Sequence, residues 1–153
     1  MNINSTLNCT KAVLEHMISR KFGKIINISS TAGLSYGLRR VSIYSLCKSG
    51  IIAFTKSLAH EVGRYNINVN AICPSTTFPE EPEHSGDFAM TKSTSPQAAE
   101  FTQDVINRQI SQHAFGRLGK PGDIANAAVF LASEASSFIT GEALAVSGGF
   151  PMI

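Results

Sequence analysis

Apolar and polar positions along this chain change period several times, and the changes mark its elements. Residues 4–20 place Leu7, Leu14, Met17 and Ile18 near one face of a helix, which Phe22-Gly23 closes. K-I-I-N-I-S-S at 24–30 is a short β-branched run, the composition of a buried strand. Residues 31–42, with Gly33 and Gly37, read as a loop. The longest periodic segment is 43–64, where Ile43, Cys47, Ile51, Phe54, Leu58 and Val62 step by three or four and form one helical stripe. I-N-V-N-A-I-C at 67–73 alternates like a strand, and Pro74 stops it. Residues 75–95 are rich in Ser, Thr, Pro and acid and read as a mobile loop, after which Ser95-Pro96 starts a helix over 97–110. Pro121 suits a first helical position, with Ile124, Ala127, Ala128 and Leu131 on one face behind it. E-A-L-A-V-S at 142–147 is a final strand that ends at Gly148-Gly149.

Helical and strand-like segments therefore alternate, which predicts an α/β fold. Strands joined by crossover helices favour a parallel sheet with right-handed connections. No internal repeat or low-complexity stretch interrupts the pattern.

Composition narrows the function classes. The 153 residues make one domain, and 43% hydrophobic content is enough for a core. Charged residues are 16%, below the roughly 25% of an average soluble domain. That combination excludes a disordered chain and fits one that hides surface in an oligomer. Net charge is +2, from 13 basic and 11 acidic residues, without a basic tract, so nucleic acid is not an expected partner. No apolar run approaches the ~20 residues of a membrane helix, and no charged-then-apolar leader precedes the first helix. A cytoplasmic protein with neither membrane nor nucleic-acid partner is the expectation. Cys9, Cys47 and Cys73 give neither a disulfide framework nor a zinc pattern and read as free thiols. Sequons begin at Asn4, Asn8 and Asn27, the last inside the expected strand. His16, His60, His84 and His113 lack metal-ligand spacing and read as surface or satisfied histidines, so no metal is expected.

Tyr44 and Lys48 change the picture most. Four residues apart near the start of the long helix, they share a face beside the apolar stripe. A free tyrosine has a pKa of about 10, and a nearby ammonium favours the phenolate and lowers it. Such a pair can give or take a proton at a carbonyl or alcohol. The first strand ends at Ser29-Ser30, and in parallel sheets ligands sit at the carboxyl ends of strands. A hydroxyl there can hydrogen-bond a reacting oxygen. The second strand ends alike, at Cys73-Pro74-Ser75.

These residues carry a resemblance. K-I-I-N-I-S-S-T-A-G (24–33), Y-S-L-C-K (44–48), I-N-V-N-A-I-C-P-S (67–75), G-R-L-G-K-P-G-D-I-A (116–125), F-L-A-S (130–133) and I-T-G-E-A-L-A-V-S-G-G (139–149) stand in the order and spacing of the C-terminal part of a short-chain dehydrogenase/reductase. The Tyr-to-Lys segment resembles that family's Y-x-x-x-K signature. The resemblance implies a Rossmann-like parallel sheet flanked by helices, and an oxidoreductase that moves hydride between NAD or NADP and a small carbonyl or secondary alcohol. It implies Tyr44 as acid/base. Lys48 would bind the nicotinamide ribose and hold down the tyrosine's pKa, and Ser30 would polarise the substrate oxygen. Asn2, in N-I-N-S-T-L-N-C-T-K-A (2–12), matches the helix asparagine that holds a relay water. Pro74, Ser75, Thr76 and Thr77 match the segment that lies against the nicotinamide. Residues of about 75–115 would be the mobile substrate loop, with Phe78, Phe88 and Met90 lining an apolar pocket. The helices at 4–20 and 43–64 would pack against a partner copy.

Departures from the pattern matter as much. Ser75 stands where glycine is usual, Ser147 where aspartate is common, and the Ser30–Tyr44 loop is about one residue longer than usual, which makes Ser29 a fallback for the serine role. Nothing matches the family's opening T-G-x-x-x-G-I-G loop. Gly116, Gly119 and Gly122 sit late, before a helix, and are no dinucleotide fingerprint. By resemblance the N-terminal nucleotide-binding half is missing, on the order of 100 residues at ~30 per βαβ unit. The alternative to an enzyme is thus a truncated, non-catalytic fragment. It would be unable to bind cofactor alone and would act, if at all, by subunit association. Its 24–30 strand would be an unpaired edge.

Overall fold

The computed structural model describes residues 2–34, 41–78 and 103–150. Helix α1 (Asn2–Arg20) leads to β1 (Gly23–Ile28), a 3-10 turn at Thr31–Gly33 and helix α2 (Ser42–Val62). Strand β2 (Ile67–Pro74), helices α3 (Gln103–Gln112) and α4 (Pro121–Ala132) and strand β3 (Ala143–Val146) complete the order. Each element lies where the periodicity predicts it, with ends shifted by a few residues. The Ser95-Pro96 helix start, residues 97–102, Gly37, His84, Phe88 and Met90 lie outside the described residues.

The three strands form one parallel sheet in the order β1-β2-β3. The register sets Ile28 beside Ile72 and Pro74 beside Val146. Running β1 on by two residues places Ser30 level with Pro74, so all three strands end on one rim. Ser29 N–H donates to Ile72 O at 2.8 Å and carries the ladder one residue past β1. This is a partial Rossmann-like fold, a parallel sheet flanked by helices.

Apolar burial holds it together. Ile25, Leu58, Ala59, Val62, Ile67 and Val69 form the core, with Leu14, Met17, Ile18, Phe54 and Tyr65 packed against it, which fixes α1 and α2 to β1 and β2. Helix α4 packs on all three strands, and its Leu131 is buried outside that cluster. The buried stripe of α2 is Lys48, Ile51, Ile52, Thr55, Leu58, Ala59 and Val62. This corrects the expected stripe at its N-terminal end. Ile43 is 72% exposed, and Lys48, read as lying beside the stripe, heads it at 8%. A lysine stem is four methylenes long and packs like an aliphatic side chain while its ammonium reaches a polar partner.

Polar residues in the strands are used internally. Asn70, 1% exposed, donates from Nδ2 to Ile139 O and accepts at Oδ1 from Glu142 N–H. Asn68 Nδ2 donates to the Ser137 and Ile139 carbonyls. The two asparagines thereby dock the segment entering β3. Asn27, also buried, donates to Thr55 Oγ1 at 2.9 Å and ties β1 to α2. Thr55→Val keeps the shape of the side chain but strands a buried amide. It is expected to cost about 1–3 kcal/mol in denaturant unfolding. A loss under about 0.5 kcal/mol, the range of an ordinary surface change, would show that this bond does not hold the helix to the strand.

On its other side β1 has no neighbouring strand among the described residues. A groove of about 380 Å³ runs there between α1 and residues 24–28, and Ile28 is 48% exposed. Such an edge presents unpaired N–H and C=O groups and accepts a further strand.

Candidate active site

The end of β1 and the first turns of α2 are bound together by serines and by the absence of a side chain. Ser29, 3% exposed, donates its hydroxyl to Lys48 O at 2.8 Å. That fully occupied, buried hydroxyl corrects the fallback assignment, because Ser29 anchors α2 and offers no proton outward. Gly33 lies so close to α2 that a Cβ would fall 2.7 Å from the Lys48 carbonyl carbon, and Ser49 Oγ donates to Gly33 O. Only glycine allows that approach. Ser30 is the N-cap of the 3-10 turn, and its Oγ accepts from Ala32 N–H at 3.1 Å. An accepting hydroxyl keeps its own proton, so Ser30 retains a donor at the rim.

Lys48 Nζ donates to Ile28 O at 3.0 Å, which plants its charge at the end of β1. It also sits 5.6 Å from the centroid of the Tyr44 ring, within cation–π reach. Burial pushes the ammonium below its ordinary 10.5, opposed by the nearby Cys47 and Cys73. Among the described residues one of its three N–H donors is spent, on Ile28 O, which leaves donors for a ligand. Tyr44, in the first turn of α2, is 42% exposed, so its phenol is accessible at the same rim. Asn2 is the first residue of α1.

Beneath the rim lies Cys73, 0% exposed, whose thiol burial pushes upward against the opposing effects of Ser29, Ser30 and Lys48. A buried thiol held protonated is inert packing. Cys9 and Cys47 are likewise free. Among the described residues no cluster of three or more His, Cys, Asp or Glu is placed to hold a metal ion, and no helix is long and apolar enough to cross a membrane.

The segment after β2 is pinned from the side. Thr77 pairs in parallel with Gly119, Gly119 N–H donates to Thr76 O, and Phe78 N–H donates to Gly119 O, both at 3.0 Å. A Cβ on Gly119 would fall 2.9 Å from Thr77 Oγ1. The late glycine is thus a backbone contact for residues 76–78, a role that spacing alone did not reveal. Arg117 and Asp123 brace the next turn, with Arg117 Nη1 2.7 Å from the carboxylate. That guanidinium and the Lys120 N–H hold Asp123 down at about 2. His113 is a satisfied histidine, as its sequence context suggested, but its partner was not legible, and Gln109 was not singled out. His113, 5% exposed, lies 3.0 Å from Ser75 Oγ through Nε2, although 38 positions separate them. Gln109 Oε1 is buried without a hydrogen-bond partner among the described residues.

The rim thus gathers Ser30, Tyr44, Lys48 and the Pro74–Thr77 segment from three elements. Comparison with known proteins places the whole chain in a family. A family model described as Enoyl-(Acyl carrier protein) reductase matches residues 1–151. The chain is 41% identical over 148 residues to the 3-oxoacyl-[acyl-carrier-protein] reductase FabG of Chlamydia trachomatis, covering 97% of this chain and 53% of that one. It superposes on a 3-oxoacyl-[acyl-carrier protein] reductase with bound NAD from Brucella melitensis with a TM-score of 0.80 and 34% identity, covering 99% of this chain and 50% of that one. A gluconate 5-dehydrogenase from Burkholderia cenocepacia, in complex with NADP and tartrate, gives a TM-score of 0.82 at 29% identity over 99% of this chain and 54% of its own. The chain spans about half the length of the curated relatives it matches. With that match over nearly its whole length, the chain belongs to the short-chain dehydrogenase/reductase family.

Proposed function

We propose that this chain forms the catalytic half of an NAD(P)-dependent oxidoreductase acting on a carbonyl or secondary alcohol, of the class of a 3-oxoacyl thioester. The observation that carries the reading is the placement of Lys48 between the end of β1 and the Tyr44 ring, with Ser30 at the same rim. When bound, the nicotinamide supplies or accepts the hydride. The chain's own residues handle the proton and the geometry. Tyr44 donates its phenolic proton to the substrate oxygen in reduction and takes it back in oxidation. Lys48 holds its ammonium beside the Tyr44 ring, and its N–H donors not spent on Ile28 O suit the hydroxyls of a ribose. Ser30 offers its retained proton to the same substrate oxygen. Asn2 holds a water that refills the tyrosine, and the Pro74–Thr77 backbone flanks the nicotinamide. The residues fit only that end of a dinucleotide. Among the described residues the glycine-rich turn before a helix N-terminus is Gly116–Gly122, which follows α3 and not a strand, unlike the strand-turn-helix that cradles a pyrophosphate.

Residues 1–153 act here as the C-terminal part of a single domain, with the substrate loop at about 75–115. Apolar side chains left exposed on α1 (Leu7, Val13) and α2 (Ile43, Leu46) support association of copies through these helices in the cytoplasm. The half-length match and the open β1 edge favour a second reading, a fragment without activity of its own that acts by association.

The deciding assay is NAD(P)H oxidation with an acetoacetyl thioester by a fusion of this chain to the N-terminal half of the Chlamydia trachomatis relative. In that fusion Ser30→Ala is expected to lower kcat about 10²-fold, the effect of removing one donor to a reacting oxygen. An unchanged kcat would remove Ser30 from the site.

A further inference from the structure

Where the family resemblance calls for glycine, this chain has Ser75, and the side chain has a partner. His113 follows α3 directly and is buried, its ring stacked on Phe150 with centroids 5.0 Å apart and planes at 25°. Its Nδ1 lies 2.7 Å from Gln109 O. A backbone carbonyl only accepts, so Nδ1 must carry the ring proton. In the neutral ring Nε2 is then a lone pair, and it faces Ser75 Oγ at 3.0 Å. The direction of the bond follows, with Ser75 donating and His113 accepting. The other acceptor near Ser75 Oγ is Ser147 O at 3.4 Å, and the Ser75 N–H reaches Val146 O only at 3.4 Å, both long for strong bonds. The Ser75 carbonyl accepts from Thr77 Oγ1 at 3.1 Å, a bond within the turn itself, so the imidazole is the shortest tether from Ser75 to another element among the described residues.

We propose that His113 is a positioning residue: by accepting the Ser75 hydroxyl proton it fixes the turn after Pro74 and the Thr76–Phe78 backbone that pairs with Gly119. Its functional weight rests on the reading above, in which Pro74–Thr77 flanks the nicotinamide. The bond itself does not. A side-chain tether here takes over the task of shaping a turn that glycine would shape by backbone freedom.

Nuclear magnetic resonance on the whole 153-residue chain without cofactor tests this. At pH about 9, above the ordinary histidine range, long-range 15N correlation is expected to show His113 protonated on Nδ1 and bare on Nε2. Ser75→Ala is expected to move the Nε2 resonance. His113→Phe keeps the stack on Phe150 but removes the acceptor, and the Gly119 and Phe78 amides should exchange about tenfold faster. His113→Gln, whose amide oxygen can accept again, should restore slow exchange. If His113→Phe does not fold, Ser75→Ala is read in its place and should show the same local acceleration. A proton on Nε2, or unaltered exchange at Gly119 and Phe78 in the folded variant, would overturn the proposal. Neither readout involves a dinucleotide, so such a failure leaves the oxidoreductase reading standing, and the converse also holds.

Discussion

Replacing Tyr44 with phenylalanine lowers kcat by at least about 10²-fold in the fusion to a nucleotide-binding half, at the low end of what a positioned acid/base supplies. The expectation follows from what the substitution spares. Phenylalanine keeps the ring, so Lys48 retains its cation–π neighbour at 5.6 Å and its bond to Ile28 O. Ser30 keeps its cap on Ala32 N–H, and Ser29 keeps α2 in place through Lys48 O. Only the phenolic O–H is lost, and Tyr44 is exposed enough that its removal leaves no buried group unpaired. Affinity for NAD(P)H should therefore stay within about threefold while kcat falls, the split expected when a group acts only in the transition state. Steady-state kinetics with direct titration of the cofactor checks both halves. Near-normal kcat would remove Tyr44 from the acid/base role.

Titration of the chain alone with NADH or NADPH is expected to show no saturable binding below about 1 mM, a free energy of about −4 kcal/mol at best. Lys48 and the Pro74–Thr77 backbone meet one end of a dinucleotide. A pyrophosphate is held by backbone N–H groups at a glycine-rich turn and helix N-terminus, and none of the chain's motifs supplies one. Of the late glycines, Gly119 is committed otherwise, pressed against Thr77. The chain has no tryptophan, so the fluorescence of the reduced cofactor reports binding without interference. Binding in the micromolar range would mean that the chain builds a nucleotide site by another route.

Sequence legibility varied with the range of the interaction concerned. Helices α1 and α2 were readable because their faces repeat every three to four residues, and β2 because it alternates and ends at a proline. That Ser30, Tyr44 and Lys48 lie near one another was readable because strand ends and i, i+4 spacing are local. The stripe on α2 was misplaced at its N-terminal end because hydropathy scores lysine by its ammonium, whereas the stem of Lys48 packs in the core and Ile43 stands in solvent. Ser29 looked equivalent to Ser30 because only the fold reveals which hydroxyl meets Lys48 O. The Ser75–His113 bond joins positions 38 apart and leaves no periodic trace. Asn68 and Asn70 stood only as the polar positions of an alternating strand, but their amides serve the segment that leads into β3. Propensity and pattern record what each residue prefers; long-range pairing of polar groups depends on where the chain returns.

The central claim is that this chain holds a working proton-transfer site and lacks only the nucleotide cradle. Turnover of NAD(P)H with an acetoacetyl thioester by the fusion, measured beside the chain alone, tests it most directly. The account predicts steady oxidation by the fusion, loss of that activity in its Tyr44→Phe variant, and none from the chain alone. A fusion that binds NAD(P)H with micromolar affinity and yet oxidises none of it would contradict the claim and leave the non-catalytic fragment as the reading that stands.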